Sequence, residues 1–120
     1  MKVAITSTGK QLESNLDPRF GRAAYFIIVD PKTKAFEVVE NSQNLNLPQG
    51  AGIQAGKTII DHHIGVLITG HCGPKAFKVL QQAGVKVMTG AGGTVADAIA
   101  QFNSGELETS AKADVEGHWV

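Results

Sequence analysis

This sequence has one cysteine, no net charge and no long apolar run. Each of these features excludes a kind of bond or a class of protein. The one cysteine cannot form an internal disulfide, so stability must come from packing. Eleven basic and eleven acidic residues leave no net charge, which argues against a general binder of DNA or RNA. No stretch approaches the roughly 18 apolar residues that a membrane span needs, and residues 1–7 lack signal-peptide character. We therefore expect a cytoplasmic protein with neither nucleic-acid nor membrane partners.

The first forty residues predict three strands before any helix. Apolar, β-branched runs predict strands over residues 2–7, 24–30 and 35–40. A segment of turn composition, residues 31–34, separates the last two strands, so we expect them to form an antiparallel hairpin.

Helices and strands then alternate. The spacing predicts a helix from residue 51 or 52 to 63, a strand over 65–69, a helix over 75–83, a strand over 85–88 and a helix over 94–102. Pro74 suits a first helical position, Gly84 a helix stop, and Thr94 with Asp97 a capping box. A hairpin followed by βα units predicts an α/β fold with a mixed five-stranded sheet and helices on both faces. Eight core residues are expected: Val3, Ile5, Phe26, Ile28, Val66, Ile68, Val85 and Val87.

Two segments complete the predicted organisation. Residues 1–108 form one domain, and residues 109–120 form a flexible tail, because apolar periodicity is lost after Gly105 and returns only at the last three residues.

The turn around His71 and Cys72 is the most informative part of the sequence. It lies between a predicted buried strand and the helix that Pro74 begins. In open α/β sheets such turns at the carboxyl ends of strands bind ligands, and helix N-termini favour anions. A negatively charged, metal-bearing ligand would fit there.

Cys72 and His71 each have two interpretations. Thiolate and imidazole are ligands suited to iron, copper and zinc, and a turn cysteine in that role is expected to contribute little to core packing. Alternatively, Cys72 fills a small space under the helix and His71 is an exposed turn residue, since one cysteine cannot complete a four-ligand cage. His62 and His63, which end the first helix, offer a further ligand, but a helix C-terminus favours histidine for electrostatic reasons alone.

Two glycine patterns are candidates for contacts to an anion. Gly50, Gly52 and Gly56 imitate a dinucleotide fingerprint, but residues 44–49 before them form a loop where that motif requires a buried strand. A helix-starting turn whose amides face the ligand is the better interpretation. The glycine turn over residues 90–93 could form an anion-binding concavity or serve only as a tight turn. Adjacent parallel strands would deliver this turn and the His71 turn to one edge.

Arginines flank a Phe-Gly pair in the first long loop. Arg19 and Arg22 could clamp a sulfide-rich or oxo-anionic surface, or be ordinary solvated loop residues.

Taken in order, several motifs resemble the dinitrogenase iron–molybdenum cofactor biosynthesis family, whose small domains carry cofactor or its iron–sulfur precursor. The resemblance covers about residues 1–108, and the ordered set is more specific than any single motif. The matching segments are residues 14–17, 20–23, 26–30, the loop from Asn41 to 50–52, Gly70-x-x-Gly73-Pro74-Lys75-Ala76, 84–87 and 98–107. Arg22 is preferred over Arg19 because it falls on one of these motifs.

The resemblance implies a ribonuclease H-like fold and a role in iron–molybdenum cofactor biosynthesis, which is related to nitrogen fixation. Nuclease activity is not implied, because two-metal nucleases need a carboxylate in the first strand and residues 2–6 contain none. We expect a non-enzymatic carrier of an anionic iron–sulfur or molybdenum-containing cluster, with a metallocluster donor or acceptor protein as partner. The expected contacts are Arg22, Gly52, Gly70, His71, Gly73, Gly92 and Gly93, and the expected metal ligands are Cys72, His71 and His63. Alternatives are a metal-free module for small anions or nucleotides, and a regulatory protein acting through partner contacts.

Overall fold

A five-stranded mixed sheet forms the centre of the protein. The computed structural model describes residues 1–41 and 50–110, and the elements below belong to those residues. The strands are β1 (Val3–Ser7), β2 (Tyr25–Val29), β3 (Phe36–Glu40), β4 (Val66–Ile68) and β5 (Lys86–Met88). The helices are α1 (Ala51–Asp61), α2 (Pro74–Gln82) and α3 (Val95–Asn103).

The strand order in the sheet is β3-β2-β1-β4-β5. Strand β2 pairs antiparallel with both β3 and β1. Strand β4 pairs parallel with both β1 and β5. The predicted mixed sheet with an antiparallel hairpin is therefore confirmed, and the topology is compatible with a ribonuclease H-like fold.

Side chains alternate between the two faces of the sheet, and each face has its own core. Ala4, Phe26 and Leu67 point to the face that α1 and α2 cover. Their neighbours Ile5 and Ile27 point to the opposite face, which α3 covers. The prediction of helices on both faces is confirmed, and all eight predicted core residues are buried.

Local sequence signals set the helix ends. Thr94 caps α3, with its side chain accepting from the Asp97 amide (3.0 Å) and its own amide donating to the Asp97 carboxylate (2.9 Å). Pro74 begins α2, and Gly84 follows it in a left-handed conformation, as predicted. Helix α1 ends at Asp61, two residues earlier than predicted, because His63 adopts a left-handed φ of 56° that an α-helix cannot continue.

The chain beyond α3 returns to the sheet. Leu107 packs against the α3-side core, and the amide of Ser110 donates to the Val87 carbonyl of β5 (2.7 Å). The flexible tail expected over residues 109–120 falls outside the described residues from 111 onward, as does the loop predicted for residues 44–49. None of the helices within 1–41 and 50–110 is long and apolar enough to cross a bilayer.

Candidate functional site

The long loop between β1 and β2, residues 8–24, crosses the carboxyl edge of the parallel strands. The amide of Leu16 donates to the Gly93 carbonyl (2.9 Å), and the amide of Phe20 donates to the His71 carbonyl (3.2 Å). The amide of His71 in turn donates to the Pro18 carbonyl (2.7 Å). The loop is therefore joined to the turns that follow both β4 and β5.

Two apolar side chains and two threonines hold this loop in place. Leu16 and Phe20 are buried although the surrounding loop is polar. The Thr6 hydroxyl at the end of β1 donates to the Asp17 carbonyl (2.7 Å), and the Thr69 hydroxyl lies 3.0 Å from the same Thr6 oxygen. These groups are buried and hydrogen-bonded, so they fix the backbone without a cost in unsatisfied polar atoms.

The turns after β4 and β5 lie side by side. The amide of Gly90 donates to the Gly70 carbonyl (2.8 Å). On its other side Gly70 touches the first loop, since a Cβ at this position would lie 2.8 Å from the Cα and the carbonyl oxygen of Pro18. Gly70 is needed here for this close approach. The topology thus brings the His71 turn and the glycine turn to one edge, as expected for consecutive parallel strands.

Helices α1 and α2 present their N-termini at this same edge. The two helices run in the same direction, because α1 leads into the amino end of β4 and α2 starts beyond its carboxyl end. They pack closely where Gly56 faces Val79, since a Cβ on Gly56 would lie 3.4 Å from the Val79 Cγ1. Each N-cap is a glycine, Gly50 or Gly73, and neither first turn contains an acidic residue. Two positive dipole ends therefore stand next to each other with no carboxylate in either first turn to neutralise them.

Helix α3 differs from α1 and α2, because its first amides are already bonded within the protein. Asp97 also places a carboxylate in its first turn. The acceptors for the amides of Val95, Ala96 and Asp97 are the Ser14 carbonyl (2.9 Å), the Leu12 carbonyl (2.8 Å) and the Thr94 hydroxyl (3.0 Å). The N-terminus of α3 is thus closed to an external anion.

The glycine turn before α3 combines a geometric role with two available amides. Gly90 and Gly93 have φ of 82° and 81°, and a Cβ on Gly93 would lie 2.5 Å from the Asp97 carboxylate that completes the cap. Glycine is therefore required for the turn itself. Within the described part of the chain, the amides of Gly92 and Gly93 have no acceptor, and the space beside Gly92 is open.

Arg22 is half-buried and follows a backbone contact between the first loop and α1. A Cβ on Gly21 would lie 2.8 Å from the Cα and the amide nitrogen of Gly52. The buried side chain of Asn41 donates from Nδ2 to the carbonyls of Gly21 (3.1 Å) and Ala23 (2.8 Å), one on each side of Arg22. Asn41 fixes the backbone that carries Arg22, a role that sequence reasoning missed. Its position directly after a strand, as the first residue of a segment that matches the family, was the available signal.

His71 and Cys72 are neighbours in the chain but differ in accessibility. His71 is half-buried on the turn that the first loop covers, whereas Cys72 is 0% exposed and packs in the core under α1 and α2. Its Sγ lies 3.7 Å from the Gly73 carbonyl. Cys72 therefore contributes to core packing, which corrects the expectation that a turn residue contributes little. Ligation of a metal by its thiolate would require the turn to open.

His63 lies at the other end of β4. It precedes the strand, close to the point where the amide of Gly65 donates to the Lys2 carbonyl (3.0 Å), whereas His71 follows the strand. The three residues of β4 alone span about 10 Å. His62, its neighbour, has Nδ1 2.8 Å from the Thr58 carbonyl. His63 therefore does not join His71 and Cys72 in one site, contrary to its place among the expected ligands.

The described residues do not contain a ready-made metal cage. Among residues 1–41 and 50–110, no group of three or more histidine, cysteine, aspartate or glutamate side chains could hold a metal ion. Among the described residues, the carboxyl edge offers backbone amides, the imidazole of His71 and two arginines of the crossing loop, Arg19 and Arg22, and the carboxylate of Asp17 in that loop already accepts from the Arg19 amide. This chemistry suits an anion that brings its own metal and sulfur ligands.

These features define a small α/β domain with an anion-favouring edge, and comparison with known proteins gives the family. The family model described as dinitrogenase iron–molybdenum cofactor matches residues 1–105. The chain belongs to this family.

Two solved structures and one further sequence are similar over nearly their whole length. The apo form of the orange protein from Desulfovibrio gigas is 43% identical, with a TM-score of 0.92, and the match covers 95% of this chain and 96% of that one. A Thermotoga protein described as NifB-like is 40% identical, with a TM-score of 0.82, covering 97% and 98%. An uncharacterised protein from Methanocaldococcus jannaschii is 30% identical over 112 residues, which are 90% of this chain and 94% of the relative.

Proposed function

We propose that this chain is a non-enzymatic carrier that binds an anionic iron–sulfur or molybdenum-containing cluster at the carboxyl edge of its parallel strands. The observation that carries the proposal is the pair of neighbouring, uncapped N-termini of α1 and α2. Each helix end has the equivalent of roughly +0.5 elementary charge, and two such ends side by side repel each other. A bound anion removes this repulsion and accepts hydrogen bonds from the first-turn amides.

Family membership supports the cluster as the cargo. The proposed contacts are Arg22, the amides near Gly52, Gly70 and Gly73, and those of Gly92 and Gly93. Arg22 contributes charge, and His71 is the accessible side chain that could coordinate a metal. Because Cys72 is buried, the cluster is held mainly by charge and amide contacts, and its own sulfides complete the metal coordination.

Reversible delivery follows from this mode of binding. Charge and amide contacts can be exchanged without breaking metal–thiolate bonds, so the cluster can pass to an acceptor protein after being received from a donor. No step on this path requires the carrier to make or break bonds in the cluster.

Anaerobic purification followed by metal and sulfide analysis and an absorption spectrum tests the proposal. We expect a coloured protein that contains iron or molybdenum together with sulfide. A colourless protein that retains phosphate or a nucleotide would instead identify a metal-free anion-binding module.

A further inference from the structure

Within residues 1–41 and 50–110, the two edges of the sheet differ in whether another segment bonds to them. At the β5 edge, the amide of Ser110 donates to the Val87 carbonyl (2.7 Å), and the hydroxyls of Ser110 and Thr89 are 2.8 Å apart. The segment after α3 therefore covers this edge. At the β3 edge, no backbone group from residues 1–41 and 50–110 bonds to the outer side of the strand. An edge to which none of the described residues bonds has backbone groups that can accept another strand.

The hydrogen bonds at the two ends of the hairpin show which groups point outward. The amide of Asp30 donates to the Ala35 carbonyl (2.9 Å), and the amide of Asn41 donates to the Ala24 carbonyl (3.0 Å). Bonded and outward-facing residues alternate in an antiparallel pair. Residues 37 and 39 therefore face β2, and the amides and carbonyls of residues 36, 38 and 40 point away from the sheet.

The side chains of β3 define what kind of strand would fit. Phe36 is 40% exposed and Val38 is half-buried, so two apolar side chains stand at the edge. Glu37 and Glu40 are exposed, and the strand contains no basic residue. A strand added here would bury apolar surface against Phe36 and Val38 and face carboxylates at two positions.

A cavity next to the start of β3 is likewise lined by apolar side chains and by more carboxylates than basic groups. Its volume is about 340 Å³, and its lining includes Phe36 and the carboxylates of Asp30 and Glu37 against the single ammonium group of Lys2. Backbone amides of Lys32 and Thr33 bond the Asp30 carboxylate and lower its pKa below the ordinary value. This carboxylate is therefore ionised at neutral pH.

Charge argues against a second copy of this chain as the occupant. In an antiparallel self-pairing centred on Val38, Phe36 of each copy faces Glu40 of the other, and the two Glu37 side chains share one face. The two Glu37 side chains would then be diagonal neighbours on that face, and neither strand carries a basic residue to compensate the four carboxylates.

We propose that β3 is the docking edge for an extended basic segment of a partner protein. The segment adds as a sixth strand, bonds to the backbone of residues 36, 38 and 40, and places Lys or Arg side chains opposite Glu37 and Glu40. This inference does not depend on the cluster site, because it rests on the outer edge of β3, and β2 and β1 lie between that strand and β4.

A synthetic peptide of sequence Lys-Val-Val-Lys-Val, flanked by threonines, tests the proposal by NMR and amide hydrogen exchange. It places lysine opposite both glutamates in an antiparallel arrangement. We expect saturating peptide to slow exchange of the amides of residues 36, 38 and 40 at least tenfold. The amides of residues 37 and 39 should change little, since β2 already protects them.

Matched controls separate strand addition from general charge attraction. The same peptide with glutamate for lysine, or N-methylated at its central valine, should bind at least tenfold more weakly. The double variant with Glu37→Gln and Glu40→Gln should also bind the lysine peptide at least tenfold more weakly. The control double variant with Glu106→Gln and Glu108→Gln has the same change in charge and should bind the peptide like the wild type. Equal binding of the N-methylated peptide would overturn the proposal. Protection of residues 36, 38 and 40 that grows with protein concentration, without peptide, would also overturn it and identify a second copy as the occupant.

Discussion

Gly21 and Gly52 meet backbone to backbone, with only 2.8 Å between the Cα of Gly52 and the point where a Cβ on Gly21 would lie. This contact joins the loop that carries Arg22 to the first turn of α1. Neither partner can move like the end of a flexible side chain, so the contact sets the position of the arginine relative to the helix N-terminus.

Replacing Gly21 with alanine should therefore destabilise the protein and weaken anion binding together. The added methyl group meets backbone atoms, and overpacking of this kind costs about 1–3 kcal/mol. Urea denaturation measures the loss, and titration with tetrathiomolybdate, a molybdenum–sulfur dianion, measures the affinity. Gly92→Ala is the control for stability alone, since nothing lies within 4 Å of the point where its Cβ would be; its affinity is not compared, because the Gly92 amide is one of the proposed anion contacts. Equal stability of the two variants would show that the Gly21 contact is not tight.

Asn41→Asp should displace the backbone that carries Arg22, although Asn41 is not among the proposed contacts to the anion. The substitution places a buried carboxylate against the two carbonyls that Asn41 now bonds, Gly21 and Ala23, and leaves them without donors. Such a loss costs about 1–3 kcal/mol or more. Asn103→Asp is the matched control, because Asn103 is exposed and its side chain donates to the Pro31 carbonyl (3.1 Å), away from Arg22. If both variants bind tetrathiomolybdate like the wild type, Asn41 has no positioning role.

Arg22→Gln should lower the affinity for the cluster about tenfold without changing the spectrum of the cluster that stays bound. The effect should shrink as salt is raised, because the contribution of Arg22 is electrostatic and is screened by ions. Arg19→Gln, an exposed position in the same loop, should have little effect. A changed spectrum in the Arg22 variant would indicate that the arginine alters metal coordination and would contradict a purely electrostatic role.

Cys72→Ala should lower the free energy of unfolding by about 1 kcal/mol, because the side chain is buried in the core. The absorption spectrum of the reconstituted cluster should stay the same. Val79→Ala, on the surface of α2 that faces α1, serves as a packing control without a sulfur atom. Loss of a sulfur-to-metal charge-transfer band in the Cys72 variant alone would establish thiolate ligation, and with it an opening of the turn.

Most of the fold could be predicted because its strands and helices have clear local signals. Apolar runs such as residues 25–29 and 66–68 define buried strands, and the Thr94 to Asp97 capping box fixes the start of α3. The hairpin followed by βα units then leaves few topologies, and the observed order is among them.

The site was harder to predict because its geometry depends on contacts between distant segments. The composition of residues 8–24 indicates a loop. Only the apolar residues Leu16 and Phe20 indicated that this loop packs against the edge of the sheet. The sequence placed His63 before the strand over residues 65–69 and His71 after it, but it gave no distance between the two side chains, and in the structure β4 lies between them. The burial of Cys72 likewise depends on the packing of α1 and α2 above it.

The most direct test of the proposed site is an NMR titration of the isotopically labelled protein with tetrathiomolybdate, with sulfate as the control anion. We expect saturable shifts of the amides of residues 51–53, 71–73, 75–76 and 92–93 and of the Arg22 side chain, with much weaker changes from sulfate. The amides of residues 95–97 should shift least among the helix N-termini, since they are already bonded within the protein. Shifts confined to residues 61–65, at the opposite end of β4, would contradict binding at the carboxyl edge.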